Sequence, residues 1–342
     1  MAPWCFRRGS PDQISMSDFS RLHRFKEVAE IQALVRTFGW DLVYTQLAPG
    51  RLQVEAYETR IGDCLLFRER IDCPLVAYGT STRAGFDVMW AREGSGRVFG
   101  DTFLGRQLVL FPPGCAIDVV AVPGARTSHV QVPVERLVAA AAGCDVELVR
   151  SPRALVVEPG VDRLRRFQSA LERSTGILDR GDLAAWEEIE GDLLLTLVAL
   201  FDRSAHPATR ADGPNGASAA VAMAARRHLQ VDLEELDAPA VAASLGISRR
   251  HLDRCFKAHY GVSILEFARF RRLHRAREVL LDPAARVSVT EAAYSCGFKH
   301  LGRFARQYRD LFGESPRETL RPTTRGALGQ TAQRERSDSP SR

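Results

Sequence analysis

The spacing of apolar and polar positions changes character along this chain. Between residues 40 and 134 the apolar residues come in short β-branched and aromatic runs, at 40–47, 52–61, 64–71, 85–90, 107–111 and 116–122. Ala48-Pro49-Gly50, Pro112-Pro113-Gly114 and Pro123-Gly124 separate them. Many short strands at regular spacing, punctuated by turn residues, predict a small sandwich or barrel. From 161 to 174 the period lengthens, with Leu164, Phe167 and Leu171 on one helical stripe. Residues 182–201 then place Leu183, Trp186, Ile189, Leu193, Leu194, Leu197 and Leu200 on a wide apolar face. These two helices either cap the β-domain or carry a dimer contact. The stretch 203–218, with His206-Pro207 and Asp212-Gly213-Pro214-Asn215-Gly216, is the clearest linker. Residues 219–320 read as helical throughout, and 323–342 form a polar tail expected to be disordered.

Two segments of the helical third have the grammar of a helix-turn-helix. In the first, residues 239–245 make a short helix of small side chains, Gly246 supplies the turn, and Ser248 caps the next helix. That helix turns Leu252 and Phe256 inward and leaves Arg249, Arg250, Arg254 and Lys257 largely outward. In the second, residues 289–296 are the small-residue helix and Gly297 the turn. The helix after it buries Phe304, Tyr308 and Phe312 and shows Lys299, His300, Arg303, Arg306, Gln307 and Arg309. Leu245 and Phe298 complete the expected core. The units align at an offset of 52 residues: Leu252 matches Phe304, Phe256 matches Tyr308, and Gly246 lies one short of matching Gly297. Residues 263–281 contain neither Gly nor Pro and predict one long helix, a rod between two reading heads.

Composition narrows the class. At 342 residues, 45% hydrophobic and 26% charged, the chain is long enough for two globular domains. Its longest apolar run, 193–201, is nine residues, about half of the ~18 that a membrane helix needs. No apolar run follows the arginines of the first twenty residues, so no secretory signal is visible. The seven cysteines are scattered and never form a CxxC pair, which fits reduced thiols in a cytoplasm. The net charge of +5 is unevenly spread: residues 219–322 hold 18 Lys and Arg against 12 Asp and Glu, whereas 1–218 are slightly acidic. A basic domain beside a neutral one points to a polyanion as partner of one half only.

Four stretches resemble the DNA-binding domain of AraC/XylS-type transcription regulators. They are Gly261-Val262-Ser263, residues 270–277, Ala292-Ala293 with Cys296-Gly297-Phe298, and Phe312-Gly313-Glu314-Ser315-Pro316. The likeness covers about a hundred residues, and its most specific part is Cys-Gly-Phe followed by Phe312, fifteen residues after Gly297. His300-Leu301-Gly302-Arg303-Phe304 is most similar to the branch that includes the ethanolamine-operon regulator. The resemblance implies that Arg250, Asp253 and Arg254 face bases from the first unit, and Leu301, Gly302, Ala305, Arg306 and Gln307 from the second. Arg249, Lys257, Arg303 and Arg309 would lie near phosphates. Leu301 and Gly302 depart from the polar residues that many relatives carry there. The second head is therefore expected to lean on Arg306, on DNA shape and on phosphate contacts.

The resemblance further implies an α+β chain with an N-terminal cupin-like β-barrel sensor, a helical connector that dimerises, and an all-α domain with two helix-turn-helix units. The expected division is an extension (1–35, partly disordered), sensor (36–150), dimerising connector (151–202), linker (203–218), DNA-binding domain (219–322) and tail (323–342). Expected partners are double-stranded promoter DNA, a small-molecule effector, RNA polymerase and a second copy of the chain, with activation in the cytoplasm and no membrane. Candidate pocket residues are Phe67, Arg68, Phe86, Trp90 and Phe103. A cupin-type enzyme or binding protein with incidental basic helices is the competing class, and a non-specific nucleoid-type binder a third. Between 40 and 150 there is one histidine, His129, whereas a metal site of the cupin type wants several plus a carboxylate. No nucleophile elbow, Walker loop, dinucleotide fingerprint or HExxH stretch is present. No catalytic residue, metal or cofactor is expected, and His129 reads as an ordinary polar residue at a strand end.

Overall fold

The computed structural model describes residues 20–320 apart from 62, 94–95, 104, 179–185, 206–215 and 232–236. The expected tail, most of the linker and the first nineteen residues of the extension lie outside the described residues. The β-domain runs β1 (Ser20–Phe25), α1 (Val28–Thr37), β2 (Asp41–Gln46), β3 (Val54–Ile61), β4 (Cys64–Ile71), β5 (Leu75–Thr80), β6 (Gly85–Glu93), β7 (Gly96–Val98), β8 (Asp101–Phe103), β9 (Leu108–Phe111), β10 (Ala116–Ala121) and β11 (Ala125–Pro133). After it come α2 (Val134–Gly143), β12 (Leu155–Val157), α3 (Val161–Leu178) and α4 (Trp186–Phe201). The helical third comprises α5 (Gly216–Val231), α6 (Ala238–Ser244), α7 (Arg249–Tyr260), α8 (Ile264–Leu281), α9 (Val289–Ser295), α10 (Leu301–Phe312) and α11 (Pro316–Leu320). β1 and most of α1 fall in the stretch that the apolar pattern left without elements.

The expected barrel is not closed. The strands form two open sheets, one ordered β1-β3-β4-β11-β6-β9-β12 and the other β2-β5-β10-β7-β8. Alternation along a strand says which residues face a core, but closure depends on edge strands pairing with each other, which alternation does not encode. The sheets face one another over an apolar interior that includes Trp40, Phe67, Met89, Phe111 and Ile117. α2, α3 and α4 cover the far side of the seven-stranded sheet, where Phe86, Leu110, Phe167, Leu197 and Phe201 pack together.

The five-stranded sheet is shared. Its inward residues, Leu42 and Tyr44 of β2 and Ile117 of β10, belong to the core between the sheets. On its other face Leu47, Val76, Tyr78 and Val120 join the core of the helical domain with Leu252, Phe256, Phe267 and Leu273. Polar contacts stitch this second face. Asp118, 1% exposed, accepts from His259 Nε2 at 2.7 Å and Tyr260 Oη at 2.9 Å, and Arg226 Nη2 lies 3.3 Å away. The Arg226 guanidinium also stands 3.7 Å from the centre of the Tyr78 ring. Arg97 Nη1 donates to the carbonyl of His259 at 2.8 Å, and the Gly50 amide donates to the Leu311 carbonyl at 3.0 Å. Along α8, Arg271 reaches Thr45 Oγ1 at 3.3 Å, and His274 Nε2 accepts from the Gln46 amide at 3.1 Å. Arg277 pairs with Glu27 at the head of α1 and holds Tyr308 and Glu314 from the side of the helical domain.

Two outcomes follow. Removing one member of a buried ion cluster leaves the others uncompensated, which costs about 3–5 kcal/mol, so Asp118→Ala should lower unfolding stability by that order in urea titrations. His274 is held neutral: burial, then the nearby Arg271 charge, lower its pKa to about 3. Its folded pKa lies below the ordinary value of 6.5, so its contribution is complete above pH ~6.5 and is lost as the pH falls toward ~3. Melting curves in acid should show a loss of about 1.4 kcal/mol per pH unit that His274→Gln flattens.

Candidate nucleic-acid interface

The two helix-turn-helix units are built from matching local signals. Asp237 caps α6 by accepting from the Ala240 amide, and Ser248 caps α7 by accepting from the His251 amide. In the second unit Ser288 and Glu291 form a reciprocal capping box on α9. The turns need a left-handed residue, and Gly246 (φ 67°) and Gly297 (φ 76°) supply it at little steric cost. α7 and α10 are each 12 residues long, begin 52 residues apart and end on Gly261 and Gly313. α6 and α9 begin 51 residues apart. The single-residue shift seen at the two glycines is thus the length difference between the two turns.

The core residues expected from the sequence come together. Leu252, Phe256, Phe298, Phe304, Tyr308 and Phe312 are buried, and Leu245 packs half-buried against them. Rings at 298, 304, 308 and 312 pack in succession, tilted or edge-to-face, with centroids 4.6–5.6 Å apart. α8 forms the continuous rod, opened by a Ser263–Glu266 capping box.

The outward residues divide. Arg250, Arg254 and Lys257 on α7, and Arg303, Arg306 and Arg309 on α10, are exposed. Arg254 Nη2 contacts His251 Nδ1 at 2.6 Å. Asp253 is held by Arg249 through contacts of 2.9 and 3.3 Å, so this base candidate and this phosphate candidate occupy each other in the free protein. On α10 Leu301 packs partly into the core, Ala305 and Gln307 are half-buried, and Gly302 is exposed with open space where a Cβ would stand. This leading edge offers bare backbone and one arginine per turn.

A cavity of about 80 Å³ lies between the two sheets of the β-domain. Phe67 and Phe103 line it; Phe86, Trp90 and Arg68 do not. β6 turns Phe86 and Val88 to the helix-covered face, where Trp90 donates to the Gly105 carbonyl, while Asp87, Met89 and Ala91 face the cavity. Phe67 and Arg68 are neighbours in a strand and cannot share a face. His129 is not at a strand end. It sits in the middle of β11, with Nδ1 3.3 Å from Asp87 and Nε2 3.5 Å from Glu69, among Trp40, Phe67 and Phe111. Burial opposes its charge, but the two carboxylates win and raise its pKa to about 10, so it is an imidazolium at neutral pH. Parity within each strand was legible, since 67 and 69, 87 and 89, and 127 and 129 share a face in pairs, but the pairing of β11 with β4 and β6 that brings them together was not.

Comparison with known proteins bears on the helical third. Residues 241–322 match the family described as "Helix-turn-helix domain". The XylDLEGF operon transcriptional activator of Pseudomonas putida is 47% identical over 76 residues, 22% of this chain and 24% of that protein. The HTH-type transcriptional regulator GlxA of Rhizobium meliloti is 38% identical over 81 residues, 24% of each chain. A crystal structure of a transcriptional regulator with an AraC-type DNA-binding domain, from Chromobacterium violaceum, is 28% identical and covers 36% of this chain and 98% of its own, with a TM-score of 0.28. The chain matches about a quarter of the length of these curated relatives. By name these relatives are regulators of transcription, and the likeness of this chain to them lies in the helix-turn-helix stretch 241–322.

Proposed function

We propose that the whole chain is a sequence-specific transcription regulator, an activator that responds to a small molecule. The observation that carries this reading is the repetition of a 12-residue, arginine-bearing helix ending on a left-handed glycine at a spacing of 52 residues, both copies joined by α8. A helix of that width fits the major groove, and two on a rigid connector can enter successive grooves about 34 Å apart. Arg254 and Arg306 are the principal base-reading candidates, since a guanidinium forks onto guanine. Arg250 and Gln307 assist, and Lys257, Arg303 and Arg309 neutralise phosphates. Asp253 becomes available to a cytosine amino group only when Arg249 turns to a phosphate.

The sandwich is the sensing part in this reading. The space between its sheets is where a small effector would sit once the walls part, with Glu69, Asp87 and His129 supplying the polar contacts inside an aromatic wall. An open two-sheet relative of the cupin fold fits the strand order better than a closed barrel. α3 and α4, which leave Val161 and Leu195 exposed, are the surface on which a second copy would pair. RNA polymerase is the remaining partner, and the protein works in the cytoplasm on promoter DNA. The likeness to the ethanolamine-operon branch rests on residues 300–304 and carries no effector identity.

Chromatin immunoprecipitation of the tagged protein in its host, beside an Arg254→Ala, Arg306→Ala double variant, tests the reading. Sharp promoter peaks that vanish in the variant are expected, because each good base-edge pair contributes about 1–3 kcal/mol of discrimination. Broad enrichment, identical in both proteins, would overturn it.

A further inference from the structure

α8 has two working sides. At about 100° per residue, Arg271, His274 and Arg277 share the side that meets Thr45, Gln46 and Glu27 of the β-domain. Arg269 and Arg272 stand on the opposite side. Arg272 is half-buried, with its guanidinium 5.4 Å from the centre of the Phe298 ring and its Nε buried without an acceptor. Its charged neighbours are Arg269 and Arg303; burial and then their like charges weaken its hold on its proton. Among the described residues no carboxylate lies within ion-pair distance of any of the three, although Glu266, one turn before Arg269 on α8, feels the charge of Arg269. Such a cluster, with a buried donor unmet, is costly until an anion arrives.

The place of the cluster says which anion. The β-domain grips the C-terminal ends of both reading helices, through His259 and Tyr260 on α7 and Leu311 on α10. The base-reading residues Arg254 and Arg306 are each the sixth of twelve, at the middle of their helices, and Arg303 is in the first turn of α10. His300, at the head of that helix, makes no side-chain cap. A duplex whose successive major grooves receive α7 and α10 must carry a phosphate backbone past the rod between them.

We propose that Arg269 and Arg272 of α8, with Arg303, form a phosphate clamp that holds the DNA backbone where it passes between the two reading helices. The clamp rests on the reading of α7 and α10 as DNA-reading helices. It adds affinity and fixes register, and it carries no base preference of its own. The Phe298 ring keeps Arg272 in place before DNA binds, so little side-chain freedom is lost on contact.

The test uses full-length protein and duplexes that it recovers from a randomised pool. Wild type, Arg269→Ala and Arg272→Gln are titrated between about 50 and 200 mM salt, a range over which each phosphate contact changes affinity about 3-fold. Each variant should bind about 3-fold more weakly at low salt, with a salt slope shallower by about one and an unchanged base preference. Unchanged slope and affinity in both variants would overturn the clamp, as would a changed preference at one base position, which marks a base contact. Arg269→Ala leaves the Phe298 stack intact and decides the matter if a melting curve shows Arg272→Gln unfolded. If wild type enriches no common sequence, the regulator reading fails on its own, and the slopes measured on one arbitrary duplex still judge the clamp.

Discussion

The charge of Asp118 is the constraint on which the arrangement of the two halves depends. A carboxylate shut away from water costs several kcal/mol unless it is met by hydrogen bonds and opposite charge. Asp118 is met by His259 and Tyr260 from the end of α7 and by Arg226 from α5. None of these is its sequence neighbour, so satisfying one side chain of β10 positions two helices of the other domain. Gln46 and Glu27 do the same for α8. The orientation of α7 and α8 is thereby set from the β-domain as well as by the packing of the helical domain itself.

The basic character of the helical third divides along the same line. Arg226 and Arg277 are buried against the β-domain and spend their charge on Asp118, Glu27 and Glu314. Arg250, Arg306 and Arg309 are exposed and have no acidic partner among the described residues. A count of basic residues treats these groups alike, although one holds the protein together and the other faces solvent. Arg249 lies between them, held by Asp253 until something displaces it.

What was legible in the sequence was local. Ser248, Ser263 and Ser288 announce helix starts through hydrogen bonds that span three residues, and the aromatic positions of α10 repeat at helical spacing, so both units could be placed before any coordinates. The division of the strands into two sheets was not legible, because it depends on pairings such as β11 with β4 and β6, set by the global path of the chain. The cavity was half legible: strand parity separates Phe67 from Arg68 and Asp87 from Phe86, but only the sheet order brings Glu69, Asp87 and His129 together. The contacts of Asp118, and that of Arg277 with Glu27, join residues more than a hundred positions apart, and no periodicity encodes them.

The five-stranded sheet is one layer thick. Along β2, Tyr44 faces the cavity while Thr45 meets α8; along β10, Ile117 and Val119 face the cavity while Asp118 holds α7 and α5. The lining of the chamber and the grip on the helices are therefore printed on the two sides of the same strands, one residue apart. A molecule that turns either strand by a few degrees moves both at once, and the message has a single peptide bond to cross.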